Sequence, residues 1–300
     1  MNIPVSVIIL TQDEEINIRA CLESAAWSDD VILVDSGSRD KTLVIAKSAR
    51  PDVRIFSHPF QDFGDQRNWA LDHTNPKNEW ILFVDADERI PPACATAIGT
   101  AVRKSEIRNP KSEIVEPVGF YLAPRNYFLG RWIKHCSLYP SWQLRLLKKG
   151  HVRFQKEGHG QREVTDGPLG YIREPYDHFG FSKGLSEWMM RHNTYSSAEA
   201  EHLRDLAAER LVPRDLYCQN AVARRRCVKR LAARAPGLRP WIRFLYSYVL
   251  RCGFLDGYLG LVYCLLYLAH GLAIQAKMAE RDLLAVARGR SDGRQFNRRA

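Results

Sequence analysis

Short runs of β-branched and apolar residues recur through the first hundred positions, at residues 5–10, 31–34, 53–56 and 80–84. Between them, residues 14–26, 40–49 and 65–71 carry apolar side chains at three- and four-residue spacing, which predicts helices, with Asp40 and Asp65 near their starts. Strand and helix alternating in this way predict βαβ units around a mostly parallel sheet. Right-handed crossovers then place every strand's carboxyl end on one edge, where open α/β sheets take their ligands.

The rhythm breaks over residues 119–171, where short strand-like segments alternate with loops rich in Gly, Pro, Trp and Tyr, a composition suited to a pocket wall. A helix is expected from about Ser182, with Leu185, Trp188, Met189 and His192 in register. Beyond Pro240, the residues Trp241, Phe244, Leu245, Tyr248, Val249 and Cys252 share one helical face. The following stretch, residues 254–274, is apolar and about long enough to span a bilayer, yet it contains Asp256, His270 and interior glycines. An in-plane or re-entrant membrane helix pair is therefore expected, with an oligomer interface or a buried helical cap as the alternative. The chain reads as an α/β domain over residues 1–181, a helical, basic and apolar membrane-associating region over 182–288, and a disordered tail over 289–300.

Composition changes this picture in two respects. Of the 300 residues, 45% are apolar, enough for a substantial core and against disorder. The formal charge is +10, and the excess is concentrated: Arg214, Arg224, Arg225, Arg226, Lys229, Arg230, Arg234, Arg239 and Arg243 face only Asp215. An acidic partner is implied, and anionic lipid, phosphate or nucleic acid would each serve. Seven scattered cysteines without metal-ligand spacing fit a reducing compartment. The N-terminal run lacks a basic leader and a small-residue cleavage site, so no signal peptide is expected.

Two strands end in Asp at the expected ligand edge. Asp35 closes the second and precedes Ser36, Gly37, Ser38, Arg39 and Asp40. It can accept hydrogen bonds from a base or ribose while the small turn lets backbone N–H groups approach; alternatively it caps that turn, as Asp40 is expected to cap the next helix. The fourth strand ends in Asp85-Ala86-Asp87-Glu88, whose two aspartates point the same way if strand geometry persists. Carboxylates so placed suit a hard divalent cation that neutralises a diphosphate. Thr11 to Glu15, closing the first strand, offers a hydroxyl and N–H groups to a nucleotide, and Arg67 can reach a phosphate or form a surface ion pair.

Taken together, residues 11–15, 34–40, 64–70 and 83–89 resemble the successive signatures of family 2 glycosyltransferases, nearest the bacterial branch of lipopolysaccharide core β-glucosyltransferases and capsule or exopolysaccharide sugar transferases. The resemblance implies a GT-A (Rossmann-like) fold, Mg²⁺ or Mn²⁺, and inverting transfer from a nucleoside-diphosphate-sugar, with UDP favoured. The acceptor is then a lipid-linked or saccharide molecule. It further implies Thr11, Glu14, Asp35, Ser36, Arg67 and Asp85 at the nucleotide-sugar, with Asp87 as metal ligand. The implied location is the cytoplasmic face of the inner membrane, peripheral or monotopic, on an anionic surface and with no nucleic acid bound.

For the base that inversion requires, Glu157, His159 and Glu163 are candidates, Glu157 foremost, with Asp85 beside the sugar. Gly160 stands where the lipopolysaccharide branch commonly has glutamate after the histidine, and Asp13 where relatives often carry asparagine. His178 is a candidate for an acceptor phosphate, against the commoner case of a histidine satisfied by backbone. The chain contains no QxxRW sequence, so transfer of a single sugar is expected. The competing readings are a sugar-1-phosphate nucleotidyltransferase, which would need a glycine-rich lysine loop after the first strand, and a non-enzymatic nucleic-acid or membrane-binding module using the arginine cluster.

Overall fold

The computed structural model describes residues 2–106, 116–158, 160–209, 234 and 237–296, with side chains described as far as Leu284. The chain divides into two compact units, Met1–Leu185 and Ser186–Ala300, a break just past the boundary expected at residue 181.

The first unit opens with β1 (Val5–Thr11), α1 (Ile18–Ser24), β2 (Asp30–Asp35), α2 (Thr42–Ala49), β3 (Arg54–Ser57), α3 (Phe63–His73) and β4 (Trp80–Asp85). There follow β5 (Glu88–Arg89), α4 (Pro92–Glu106), β6 (Gly119–Leu122), β7 (Pro124–Phe128), β8 (Arg131–Trp132) and β9 (Gln143–Lys148). It closes with β10 (Val152–Glu157), β11 (Gly160–Thr165), β12 (Leu169–Tyr171) and β13 (Tyr176–His178). The central sheet has seven strands in the order β12-β6-β9-β4-β1-β2-β3. Strands β1 to β4 are mutually parallel, and β9 runs antiparallel to both β4 and β6. This is the GT-A-like α/β arrangement, with β1 at the point where strand order reverses.

The near-continuous apolar runs of β1, β2 and β4 follow from burial on both faces. Val7, Ile9, Leu33 and Leu82 join the core on one side, while Ile8, Ile32, Ile81 and Phe83 join that on the other. At the edge away from the ligand side, the Asp30 carboxylate is 2.7 Å from Arg54 Nη2 and accepts from the Ser6 hydroxyl and the Lys77 N–H. Burial alone would raise the Asp30 pKa, but these donors outweigh it and hold the group below the usual carboxylate range.

The helices begin where local hydrogen bonds allow. α1 starts at Ile18 rather than residue 14 because residues 12–17 form a turn in which Asp13 has φ 53° and the Glu14 carbonyl accepts from the Asn17 and Ile18 N–H groups. α2 starts at Thr42 with Lys41, not Asp40, at the cap position, and Asp40 acts one residue earlier by accepting from the Thr42 N–H at 2.9 Å. α3 starts at Phe63 with Asp62 as its cap, accepting from the Asp65 N–H at 2.9 Å.

The second unit contains α5 (Leu185–Ala208), whose first residue ends unit 1, then α6 (Arg239–Leu245) and α7 (Gly257–Phe296). α5 starts past Ser182 because Gly184, at φ 88°, breaks the chain direction just before it. α6 continues through a wide turn at Tyr246–Leu250 and a tight one at Gly253–Asp256 before α7. A Cβ added to Gly271 would lie 2.9 Å from Pro240, so a glycine lets α6 and α7 approach closely. Residues 253–284 form one helical stretch long and apolar enough to cross a membrane, longer than the segment expected over 254–274. α7 runs to Phe296, beyond the tail boundary expected at residue 288. Trp241, Ile242, Leu245, Leu250, Phe254, Leu255 and Tyr258 are exposed on this pair. Cys21, Cys94 and Cys252 carry free thiols.

Candidate active site

The carboxyl ends of β1, β2 and β4 meet at one edge, and a cleft of about 500 Å³ opens there, lined by Gln12, Asp13, Ser36, Gly37, Arg39, Ser57 and Pro59. Asp35 is buried at its rim and accepts from the N–H groups of Gly37 at 2.9 Å and Ser38 at 3.0 Å, and from the Ser38 hydroxyl. It therefore caps its own turn, the alternative raised by the sequence. A carboxylate offers about four lone-pair sites, so capping orients it without exhausting its capacity. Gly37 has φ 89°, a conformation open to glycine at little cost. Asp13 clasps this turn from across the cleft: its N–H donates to Ser38 Oγ at 2.8 Å and its carboxylate accepts from the Arg39 N–H at 2.7 Å. The left-handed backbone there is one that Asp and Asn adopt more readily than other residues with a side chain.

Thr11 is buried, its hydroxyl without a partner, and its carbonyl accepts from the Ser36 N–H at 2.9 Å. Ser36 Oγ accepts from Gln66 Nε2 at 3.0 Å, and Gln66 Oε1 is buried with no partner. Glu14 is less available: its carboxylate is 2.7 Å from Lys183 Nζ and accepts from Asn17 at 2.7 Å. Burial nonetheless raises its pKa.

One strand beyond β1, β4 ends at Asp85, and the aspartates of the Asp-Ala-Asp triplet have different partners. Strand geometry stops at Asp85: the Ala86 N–H makes the last ladder bond, to the Leu10 carbonyl at 3.1 Å, and residues 86 and 87 form a turn. Asp85 lies between two buried arginines, 3.1 Å from Arg67 Nη2 and 3.0 Å from Arg145 Nη2. Burial alone would raise its pKa, but Arg145 and Arg67 outweigh that and hold it far below the usual carboxylate range. Arg67 is thus neither a free phosphate contact nor a surface ion pair; it is buried, with Gln161 Oε1 at 3.0 Å as its other acceptor. Arg145 Nη2 also lies 2.6 Å from Glu88, and Arg145 Nε lies 3.1 Å from Gln143 Oε1 and 3.3 Å from the Tyr176 hydroxyl. Burial pushes the Glu88 carboxyl up to about 7 against the pull of Arg145.

Asp87 lies beside His178, whose Nε2 is 3.5 Å from its Oδ2. His178 is held by side chains rather than by backbone, since Asn126 Oδ1 lies 2.7 Å from its Nδ1. Burial alone would lower the His178 pKa; the carboxylates of Asp87, Glu88 and Asp85 overcome that and raise it to about 9. Among the described residues no group of three acidic, His or Cys side chains forms a metal cage. A two-donor set still fits a hard divalent cation completed by diphosphate oxygens and water. The Asn126 bond orients the ring with Nε2 facing Asp87, and Nε2 must lose its proton before it can ligate a cation. Asp85, neutralised by two arginines, does not fit as a ligand.

Of the base candidates, Glu157 ends β10 at the tip of the β10–β11 hairpin, across from Gly160. Glu163 pairs with Phe154 further down the hairpin, and His159 lies outside the described residues. So do residues 210–233, which hold most of the arginine cluster behind the nucleic-acid alternative. Arg145, Gln143, Tyr176, Asn126 and Lys183 were not anticipated. The one sequence signal for Arg145 was a charge set inside the apolar run Leu144-Arg145-Leu146-Leu147.

Comparison with known proteins adds an independent finding. The profile described as Glycosyl transferase family 2 matches residues 6–158. The lipopolysaccharide core biosynthesis glycosyltransferase LpsC of Rhizobium meliloti is 27% identical over 206 residues, 66% of this chain and 71% of that protein. An uncharacterized glycosyltransferase of Rickettsia bellii is 37% identical over 29% of this chain and 28% of its own length. Among solved structures, S. aureus TarS 1–349 in complex with UDP aligns over 92% of both chains at 15% identity, with a TM-score of 0.43.

Proposed function

The chain belongs to glycosyltransferase family 2, and from that premise we propose that it moves one sugar, with inversion, from a nucleoside-diphosphate-sugar to a lipid-linked or lipopolysaccharide-type saccharide. UDP is the favoured carrier, because Asp35 offers an acceptor to the ring N–H of uracil. The observation that carries the reading is the meeting, on one sheet edge, of the cleft beside Asp35 with the Asp87–His178 pair, which follows β4 two strands from Asp35. LpsC, named for lipopolysaccharide core biosynthesis, supports the acceptor class.

In this mechanism Asp35 and the hydroxyls of Thr11 and Ser36 hold the nucleoside. Asp87 and His178 would hold Mg²⁺ or Mn²⁺, which when bound supplies positive charge against the departing diphosphate. Asp85, fixed between Arg67 and Arg145, is oriented toward a sugar or ribose hydroxyl. Glu157 takes the proton of the acceptor hydroxyl as its oxygen attacks the anomeric carbon and the bond to the diphosphate oxygen breaks. The exposed apolar residues of α6 and α7, flanked by Arg239 and Arg243, dock the enzyme on the anionic cytoplasmic face of the inner membrane.

The test is a panel of nucleotide-sugars scored for Mn²⁺-dependent thermal stabilisation and for nucleotide release, in the intact protein and in Asp87→Ala. A single nucleotide class should stabilise the wild type and lose its metal dependence in the variant. Full metal-dependent transfer by Asp87→Ala would overturn the assignment.

A further inference from the structure

Three aromatic side chains sit on the same ligand edge, away from the nucleotide cleft and unused by the chemistry above. Tyr121, Trp142 and Tyr171 belong to β6, to the residue before β9, and to the end of β12. Tyr171 is at the centre: its ring lies 5.2 Å from Tyr121, nearly parallel at 26°, and 5.1 Å from Trp142 at 78°. Tyr121 and Tyr171 are paired in register across β6 and β12. Gly170 makes that pairing possible, since a Cβ there would lie 2.6 Å from the Phe120 ring.

A cross-strand aromatic pair on an edge strand has a plain structural use. Packing does not explain how much ring is left in water. Tyr171 is 60% exposed and Trp142 37% exposed, although they end strands of an otherwise closely packed sheet. Their placement relative to the reactive groups is also specific. Extending the β4–β9 register puts Trp142 and Gln143 level with Asp85. Trp142, two residues before Leu144, shares with Tyr121 the sheet face covered by α3 and β10. β10 packs on that face through Val152 and Phe154, and Glu157 is its last residue. The rings therefore lie between one and three strand spacings from β4, about 5 to 14 Å.

We propose that Tyr121, Trp142 and Tyr171 form a saccharide platform that binds the acceptor at sugar units behind the one receiving the transfer. The proposal rests on the glycosyl-transfer reading and adds that the acceptor is an oligosaccharide. The C–H-rich face of a pyranose carries small positive charge and packs on the negative face of an aromatic ring, while its hydroxyls stay in water at the rim. The tyrosine hydroxyls supply polar contacts that an aliphatic patch would lack.

The probe is a deacylated lipopolysaccharide core oligosaccharide, titrated calorimetrically into the intact protein and into Tyr171→Ala, Trp142→Ala and Tyr171→Phe. Nucleotide release from the donor without acceptor is measured alongside. The alanine variants should bind the oligosaccharide roughly tenfold more weakly, Tyr171→Phe should bind it nearly as well as wild type, and donor hydrolysis should be unchanged in all. Absence of oligosaccharide binding by the wild type, or equal affinity in the alanine variants, overturns the platform. Loss in Tyr171→Ala of binding to phospholipid micelles instead of saccharide would assign the rings to acyl chains and overturn it as well. Absence of nucleotide release in every protein, with saccharide binding intact, would count against the transfer reading alone.

Discussion

Replacing Arg145 by methionine tests the buried charge network beneath the site. The side chain is 7% exposed, and its Nη2 bridges Asp85 at 3.0 Å and Glu88 at 2.6 Å. Methionine is close enough in length to fill the space, so the loss is electrostatic rather than a cavity. Asp85 keeps Arg67, while Glu88, 2% exposed, keeps one hydrogen bond, from the Asp85 N–H at 2.8 Å, and the charge of His178. Removing one partner of a buried pair costs about 3–5 kcal/mol. Glu88 already titrates near 7 because burial outweighs Arg145, and without Arg145 it moves higher. A carboxyl whose folded pKa lies above its unfolded value of about 4.3 adds stability that is complete below that value and is lost as pH rises through the folded one. The penalty of Arg145→Met should therefore be larger at about pH 8.5 than at about pH 6. Urea unfolding followed by circular dichroism at both pH values measures it. Adding Glu88→Gln, which removes the charge, should recover more than half of the loss at the higher pH. A variant within about 1 kcal/mol of wild type at both, or a loss independent of pH, would refute the reasoning.

Three further outcomes are expected from the same geometry. His178, held at about 9, must shed its proton to ligate a cation; calorimetric Mn²⁺ affinity in the presence of UDP should rise with pH up to about 9 and then level off, and in His178→Ala it should be weak and nearly flat. Asp35→Asn should raise the Kd for UDP roughly tenfold with little change in melting temperature, because the replaced carboxylate is the nucleoside acceptor. Asp30, held below the usual carboxylate range, contributes stability present above about pH 4 and lost as pH falls; Asp30→Asn should cost about 2–3 kcal/mol near neutral pH and far less near pH 3, by urea titration.

The donor half was legible because β1, β2 and β4 are buried on both faces, so their apolar runs end abruptly where the ligand edge begins. Asp35, Asp85 and Asp87 stand at those ends, and the break in pattern marked them. What the triplet could not reveal was how its members divide. That depends on Arg67, Arg145 and His178, which arrive from α3, β9 and β13, between 18 and 93 residues away along the chain (85 − 67 and 178 − 85). Long-range pairing of this kind leaves no local period. The same holds for α1, whose expected start is early because Asp13 to Asn17 look helical by composition, whereas their donors and acceptors are used in a turn.

β9 runs against the strands beside it, and that reversal has an outcome for how the edge is furnished. The parallel strands deliver their final residues to the edge and then depart into helices whose packing constrains the segments beyond. β9 delivers its first residues, so the stretch around residues 133–142, anchored by buried Ile133 and Cys136, reaches the rim before it enters the sheet. Lengthening or recomposing that stretch changes what meets an incoming chain while β1, β2 and β4 keep their alignment. One half of the rim is thus set by the ends of buried parallel strands, and the other by a segment that enters the sheet from its open edge.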